Sequence, residues 1–211
     1  MKLAMGSLVS LAFLCSTPIS GIRWVWARTK KIVLPEGTKR EGLINRNPAE
    51  LDARNMEITP LGDFGTMGLT DHEVNLETWR LQVAGHVKKP LSLSYSQIMG
   101  LPSIERNVLL ICPGFFANHG TWKGISIGEL LRRAEIGEGV THVTIRGPQG
   151  SSEKAVKYPM RDIVSDKVFL AYRVNGKDLP RSHGFPLRVV AEDHHGYDWV
   201  KYVDSITAEG I

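Results

Sequence analysis

From Thr141 to Ala208 the chain is a succession of short strand patterns, and this limits the folds open to it. Val168–Val174 (VFLAYRV) is an apolar run ending at Asn175-Gly176, a residue pair that supplies the two positive-φ positions of a type I′ hairpin turn. Thr141–Gly147 (THVTIRG) reads as a strand entering the Gly147–Gly150 turn, and YPMRDIV as a turn of helix. Phe185–Ala191 and Asp198–Ala208 complete the set, the last alternating as W-V-K-Y-V-D-S-I. Upstream, Trp79–Gly85 alternates and Val108–Cys112 is continuously apolar. Two helices are announced by capping boxes, Ser94 with Gln97 and Ser126 with Glu129. The first stops at Gly100 and Pro102. The second carries Ile127, Leu130, Leu131 and Ala134 on one face and closes at Gly137. Many short strands, a few short helices and no regular βαβ alternation predict an α+β fold with a mixed, barrel-like sheet.

The division of the chain follows composition. Residues 28–75 are rich in Pro, Gly, Asn and charge, and read as an extended arm with a helical turn after Asn47-Pro48 and apolar anchors at Leu61 and Phe64. Residues 76–211 form one domain. Residues 1–27 are a signal-like segment: Leu3–Ile22 is apolar and rich in small residues, and Val25-Trp26-Ala27 offers a cleavage site. KLAMGSLVSLAF is similar to the second half of a twin-arginine signal, which predicts an arginine pair upstream of Met1 and export to the periplasm or another extracytoplasmic space. Basic residues after the apolar run also suit an uncleaved membrane anchor. The formal charge of +4 comes without a Lys/Arg block or aromatic–basic interleaving, so a nucleic-acid partner is excluded.

Chemistry concentrates in Val108–Trp122 (VLLICPGFFANHGTW). The apolar run reaches Cys112, Pro113 and Gly114 turn the chain, and Asn118, His119 and Gly120 read as a loop before Trp122 leads into a helix. Cleavage after Ala27 would leave Cys112 as the sole cysteine, with no disulfide partner in an oxidising compartment. A lone thiol can be a small buried hydrophobe, a nucleophile paired with His119 or His183 in a hydrolase or transferase, or a metal ligand. The adjacent His194 and His195 would point to opposite faces of a strand, which argues against shared ligation and for loop positions.

Three segments together carry a resemblance. Cys112 followed by Trp122-Lys123-Gly124 and the Leu130-Leu131 helix, the hairpin Tyr172–Pro180, and His183–Arg188 followed by Gly196 and Trp199–Lys201 resemble the sulfite-oxidase-fold molybdopterin oxidoreductases. The resemblance is nearest to their bacterial periplasmic branch, which includes a methionine sulfoxide reductase catalytic subunit. It implies a molybdenum–molybdopterin cofactor with Cys112 as the metal ligand. It also implies cofactor contacts from Asp63, Phe64, His183, Arg188, Trp199, Val200 and Lys201. Arg146, near the end of its strand, is a further candidate contact, and His119, beside Asn118, is either a catalytic residue lining the substrate entrance with it or a plain loop histidine. A thiolate suits a transition metal otherwise held by dithiolene sulfurs, and arginine and lysine suit a phosphate. Gly184 and Gly196 would let backbone approach the ligand.

Two departures from the family pattern carry expectations. Sulfite oxidases place arginines just after the cysteine, whereas here Arg132 is the first, which predicts a neutral, apolar entrance and a small uncharged or reducible oxo donor or acceptor instead of sulfite. No C-x-x-C-H haem motif occurs and the chain stops at Ile211. The expectation is therefore a monomer that exchanges electrons with a separate haem or cytochrome partner. A non-catalytic relative that binds a ligand in the same groove remains a further reading.

Overall fold

The computed structural model describes residues 30–149 and 154–210; the signal-like segment lies outside them. Their strands are β1 (Ile32–Val33), β2 (Leu51–Asp52), β3 (Leu81–Gly85), β4 (Leu91–Leu93), β5 (Ser103–Cys112) and β6 (Phe116–Ser126). They continue with β7 (Val140–Arg146), β8 (Ala155–Pro159), β9 (Val168–Val174), β10 (Lys177–Asp178), β11 (Arg188–Ala191) and β12 (Ser205–Gly210). The helices are short: α1 (Tyr95–Met99), α2 (Ile127–Arg133) and α3 (Met160–Val164).

Two five-stranded sheets enclose the core. One runs β10-β9-β6-β5 with β11 also on β9, and the other runs β4-β3-β12-β7-β8, where β12 is parallel to β3 and antiparallel to β7. The expected mixed, barrel-like α+β architecture is what the chain adopts. Between the sheets lie Leu81, Ile125, Leu130, Ile145, Phe169, Val189 and Ile206, all essentially inaccessible.

Local signals explain much of this. At α1 the Ser94 hydroxyl accepts from Gln97 N–H while the Gln97 side chain accepts from Ser94 N–H, so the capping box closes in both directions. At α2 only half of it forms: Ser126 accepts from Glu129 N–H, but the Glu129 carboxylate turns to Arg132 and Arg133. Asn175 and Gly176 both have positive φ and close the β9–β10 hairpin.

Two readings need correction. Asn118, His119, Gly120 and Trp122 are not a loop and helix approach; they lie within β6, and the only break after Cys112 is the tight turn Pro113–Phe115. Asp198–Ala208 is not one strand. A 3-10 turn spans Gly196–Asp198, Tyr202 takes a positive φ, and pairing with β3 and β7 begins at Ser205. The detour stays buried because Val189 N–H bonds to Val200 O and Val203 N–H to Leu187 O.

Residues 34–59 lie against the β5–β6 hairpin. Leu34, Leu43, Leu51 and Met56 pack on Leu109, Ile111 and Ala117 in a second, smaller apolar cluster. Pro48–Glu50 forms the expected turn as a 3-10 element capped by Asn47. Beyond the end of β9, Thr59 serves the open edge of β6: its N–H bonds to His119 O at 2.8 Å and its hydroxyl accepts from His119 N–H at 3.0 Å.

Candidate active site

Cys112 ends β5 at the point where the sheet opens into a cleft of about 260 Å³. Met67, Leu69, Tyr197, Trp199, Lys154 and Lys201 are among its lining residues. The Cys112 thiol is half-buried and contacts the Met67 thioether, with 3.5 Å between sulfurs. Burial pushes its pKa up, against a smaller downward pull from the Lys154 charge.

Behind the cleft is a cationic wall. Arg188 is buried between Trp122 and Trp199, its guanidinium carbon 5.0 and 5.4 Å from their ring centroids. Its Nη1 donates to His183 O at 3.1 Å, while its buried Nε finds no partner among the described residues. Lys201 Nζ donates to Ser182 O at 3.0 Å and Thr66 Oγ1 at 3.2 Å. Burial, then the neighbouring Arg188 charge, lowers Lys201 to about 8. Burial and the charges of Arg188 and Lys201 lower His183 to about 4. Three cationizable groups thus crowd together: Arg188, itself lowered to about 10 by burial, depresses both Lys201 and His183. Such a cluster is stabilised by an anion and costs free energy without one.

Backbone geometry keeps these groups close. Gly184 adopts φ +107, and a Cβ there would sit 3.0–3.1 Å from the Arg188 and Lys201 side chains. A Cβ on Gly196 would come within 3.3 Å of Leu110, Ile111 O and Cys112 Cα.

The sequence-derived candidates separate into two groups. Cys112, Arg188, Trp199 and Lys201 line a common cleft, His183 adjoins Arg188, and Val200 is buried between Trp199 and Lys201 in the chain. Phe64 is a core residue, with ring centroids 5.8 Å from both Trp122 and His183. Asp63 instead points outward to Arg40, 4.0 Å away. Arg146 lies in a separate groove with Arg80 and Gln82.

Asn118 and His119 occupy opposite faces of β6. Asn118 shares the face of Cys112, but its amide is committed to Gly65, accepting from Gly65 N–H at 3.1 Å and donating to Gly65 O at 2.9 Å. It positions the segment Gly65–Leu69 over the cleft. His119 points the other way, where Nδ1 meets Glu57 O at 3.2 Å, so it does not line the entrance. The entrance is not neutral either, because Lys154, just before β8, contributes a cation. Sequence reasoning missed Lys154, which comes from a segment far from Cys112 and carries no motif; Met67 belongs to the glycine-punctuated stretch Ile58–Gly68, which the sequence leaves open as a simple loop or a ligand-lining one. His194 and His195 are loop residues as expected. His194 Nε2 is 3.1 Å from Asp162 and His195 stacks on Tyr197.

A molybdenum–pyranopterin fits this donor set. Among the described residues no three of His, Cys, Asp and Glu cluster to hold a bare metal ion. A single cysteine ligand therefore suits a metal whose other ligands arrive with a cofactor. The orphaned Arg188 Nε and the crowded cations suit its phosphate.

Comparison with known proteins agrees. A family model described as the oxidoreductase molybdopterin binding domain matches residues 68–210. The uncharacterized oxidoreductase YuiH of Bacillus subtilis is 29% identical over 126 residues, covering 59% of this chain and 61% of that protein. A protein-methionine-sulfoxide reductase catalytic subunit, MsrP, of Xanthomonas axonopodis is 29% identical over 146 residues, covering 63% and 45%. The NADH nitrate reductase of Lotus japonicus is 31% identical over 160 residues, covering 62% of this chain and 18% of the enzyme. The chain thus spans less than two thirds of the length of each of these relatives. Among solved structures, the sulfane dehydrogenase SoxCD of Paracoccus pantotrophus superposes with a TM-score of 0.62 at 19% identity, covering 97% of this chain and 57% of that one, which establishes the shared fold. With that fold, and with the family match running from the cleft-lining Gly68 almost to the C-terminus, the chain belongs to the molybdopterin-binding oxidoreductases and takes a molybdenum–molybdopterin cofactor.

Proposed function

We propose that this chain is an exported oxidoreductase in which Cys112 ligates molybdenum and electrons pass to or from a separate haem or cytochrome partner. The observation that carries the reading is that Cys112 opens onto the same cleft as the Arg188 and Lys201 wall. When bound, the cofactor supplies two-electron oxo transfer at its metal. The chain supplies the rest. Cys112 anchors the metal end, while Arg188, Lys201 and His183 take the phosphate end. Gly184 and Gly196 let backbone approach closely, and Asn118 holds Gly65–Leu69 across the opening. Apolar walls from Met67, Leu69 and Trp199 exclude water from the reacting face.

A hydrolase reading is weaker. The contact of Cys112 Sγ is a thioether instead of a base, and burial raises the thiol when a nucleophile needs it lowered. Export rests on the N-terminal segment. Among the described residues no helix is long and apolar enough to cross a membrane.

Purified from a host that makes molybdopterin, the protein is expected to hold about one molybdenum per chain. Cys112→Ser is expected to reduce metal content and dye-linked turnover to background while leaving the circular dichroism spectrum unchanged. A Cys112→Ser protein that keeps both metal and turnover would falsify the ligand assignment.

A further inference from the structure

The cleft is apolar on one side and cationic on the other. Met67, Leu69, Tyr197 and Trp199 form the apolar side, and Tyr197 and Met67 are among the few large apolar side chains left exposed. Phe115, in the turn after Cys112, is 66% exposed. Two lysines face the apolar side, and they are not equivalent. The Lys201 ammonium donates to Thr66 and Ser182 and belongs to the cationic wall assigned above to the cofactor phosphate. Among the described residues, the Lys154 ammonium has no hydrogen bond and no ion pair. Its charge acts on Cys112 and Asp198, while Asp198 lies 3.7 Å from His194 Nδ1. Lys154 is held in place by its backbone, whose carbonyl accepts from Gly147 N–H at 3.0 Å and closes the mouth of the β7–β8 hairpin beside the cleft.

We infer that Lys154 is the specificity-determining residue of the cleft, receiving the negatively charged oxo end of an organic monoanion whose apolar substituent lies on Met67, Leu69 and Tyr197. This rests on the oxidoreductase reading above. A lysine ammonium is a mobile point charge with three donors, so it suits a single negative charge. A doubly charged inorganic oxyanion would call for several convergent cations, and the apolar wall would give it nothing. The arginine-free loop after Cys112 is therefore compensated from another segment and need not imply a neutral substrate.

Two redox-inert isosteres test this, benzenesulfonate (anionic) and methyl phenyl sulfone (neutral). Each is titrated into molybdenum-loaded protein by calorimetry and by the metal-centred absorption. One charge-assisted hydrogen bond predicts about tenfold tighter binding of the sulfonate. Lys154→Met should remove that preference without changing sulfone affinity or molybdenum content, and Lys154→Arg should keep it. A preparation that takes up no molybdenum overturns the parent reading and is recognised by metal analysis before any titration. A loaded protein with equal affinities for the two probes, or one whose preference survives Lys154→Met, overturns the role of Lys154 alone.

Discussion

The two faces of the β5–β6 hairpin share their backbone and almost nothing else. On one face Cys112, Leu110, Asn118 and Trp122 look toward the cleft and the cationic wall; on the other Ile111, Leu109, Ala117 and His119 look toward residues 34–59. Asn118 and His119 are adjacent in sequence, are both polar and are both about 1% exposed, yet they belong to different environments. The period of two in a strand separates neighbours that a loop would have kept together. Chemistry therefore sorts by parity with Cys112 and not by distance from it along the chain.

Acid sharpens the contrast, because each face buries one histidine whose pKa is lowered. On the cleft side His183 falls to about 4, through burial and then the charges of Arg188 and Lys201, whereas His119 is lowered by burial, with backbone hydrogen bonds opposing. A folded value below the ordinary 6.5 means that the unfolded chain takes the proton first as pH falls. The stability tied to His183 is whole above pH 6.5 and is lost progressively down to about pH 4, at most about 3 kcal/mol from a shift of that size. Urea denaturation of the apoprotein across this window should show the loss. Loading the cofactor should shrink it, since a phosphate beside His183 favours the charged ring, while the part due to His119 stays. A loss of the same size in loaded and apoprotein would contradict the anion-binding role of the wall.

Replacing the central cation breaks the comparison from one side only. Arg188→Leu removes a buried charge lodged between two indoles. Exchange of a buried ion for an apolar residue is often neutral or stabilising, so the apoprotein should be at least as resistant to urea as before. Cofactor retention, read as molybdenum per chain after dialysis, should fall by about a hundredfold, the upper end for groups that orient a metal site. An apoprotein that collapses would mean the arginine serves packing and not the ligand.

These distinctions were legible in the sequence to unequal degrees. Capping boxes and Asn175-Gly176 act through local backbone chemistry, so both helices and the hairpin could be read directly. The continuous apolar runs of β5 and β9 marked buried strands for the same reason. Strand β6 could not be read that way. Asn118-His119-Gly120 has a loop's composition, and it is a strand because distant residues satisfy each member: Gly65 bonds the amide, Glu57 O meets the imidazole, and Gly120 leaves room for the Phe64 and Trp122 rings. The reverse error came at Trp199–Asp204. There the alternation reflects burial between two sheets without ladder pairing, and the positive φ of Tyr202 ends any strand. Cys112, Arg188 and Lys201 were found together because their motifs carry their order. Lys154 was invisible because only tertiary folding brings it to the thiol, and Met67 could be read only as part of a glycine-punctuated stretch open to either a loop or a ligand-lining role.

The smallest effects are the most discriminating, because they compare neighbouring residues. Asn118→Ala frees Gly65 from its paired hydrogen bonds on the cleft face and leaves the smaller apolar cluster untouched. Loosening Gly65–Leu69 should lower cofactor retention by about tenfold, as removal of a group that supports a metal site does. His119→Ala empties a site that is 1% exposed on the other face. It should cost about 1–2 kcal/mol of stability by cavity formation and loss of the Glu57 contact, with molybdenum content and turnover per metal unchanged. The two losses should therefore appear in different assays, metal retention for one and urea midpoint for the other. If His119→Ala depressed turnover at full metal content, the two faces would be coupled, and His119 would return as a residue acting on the site through the strand.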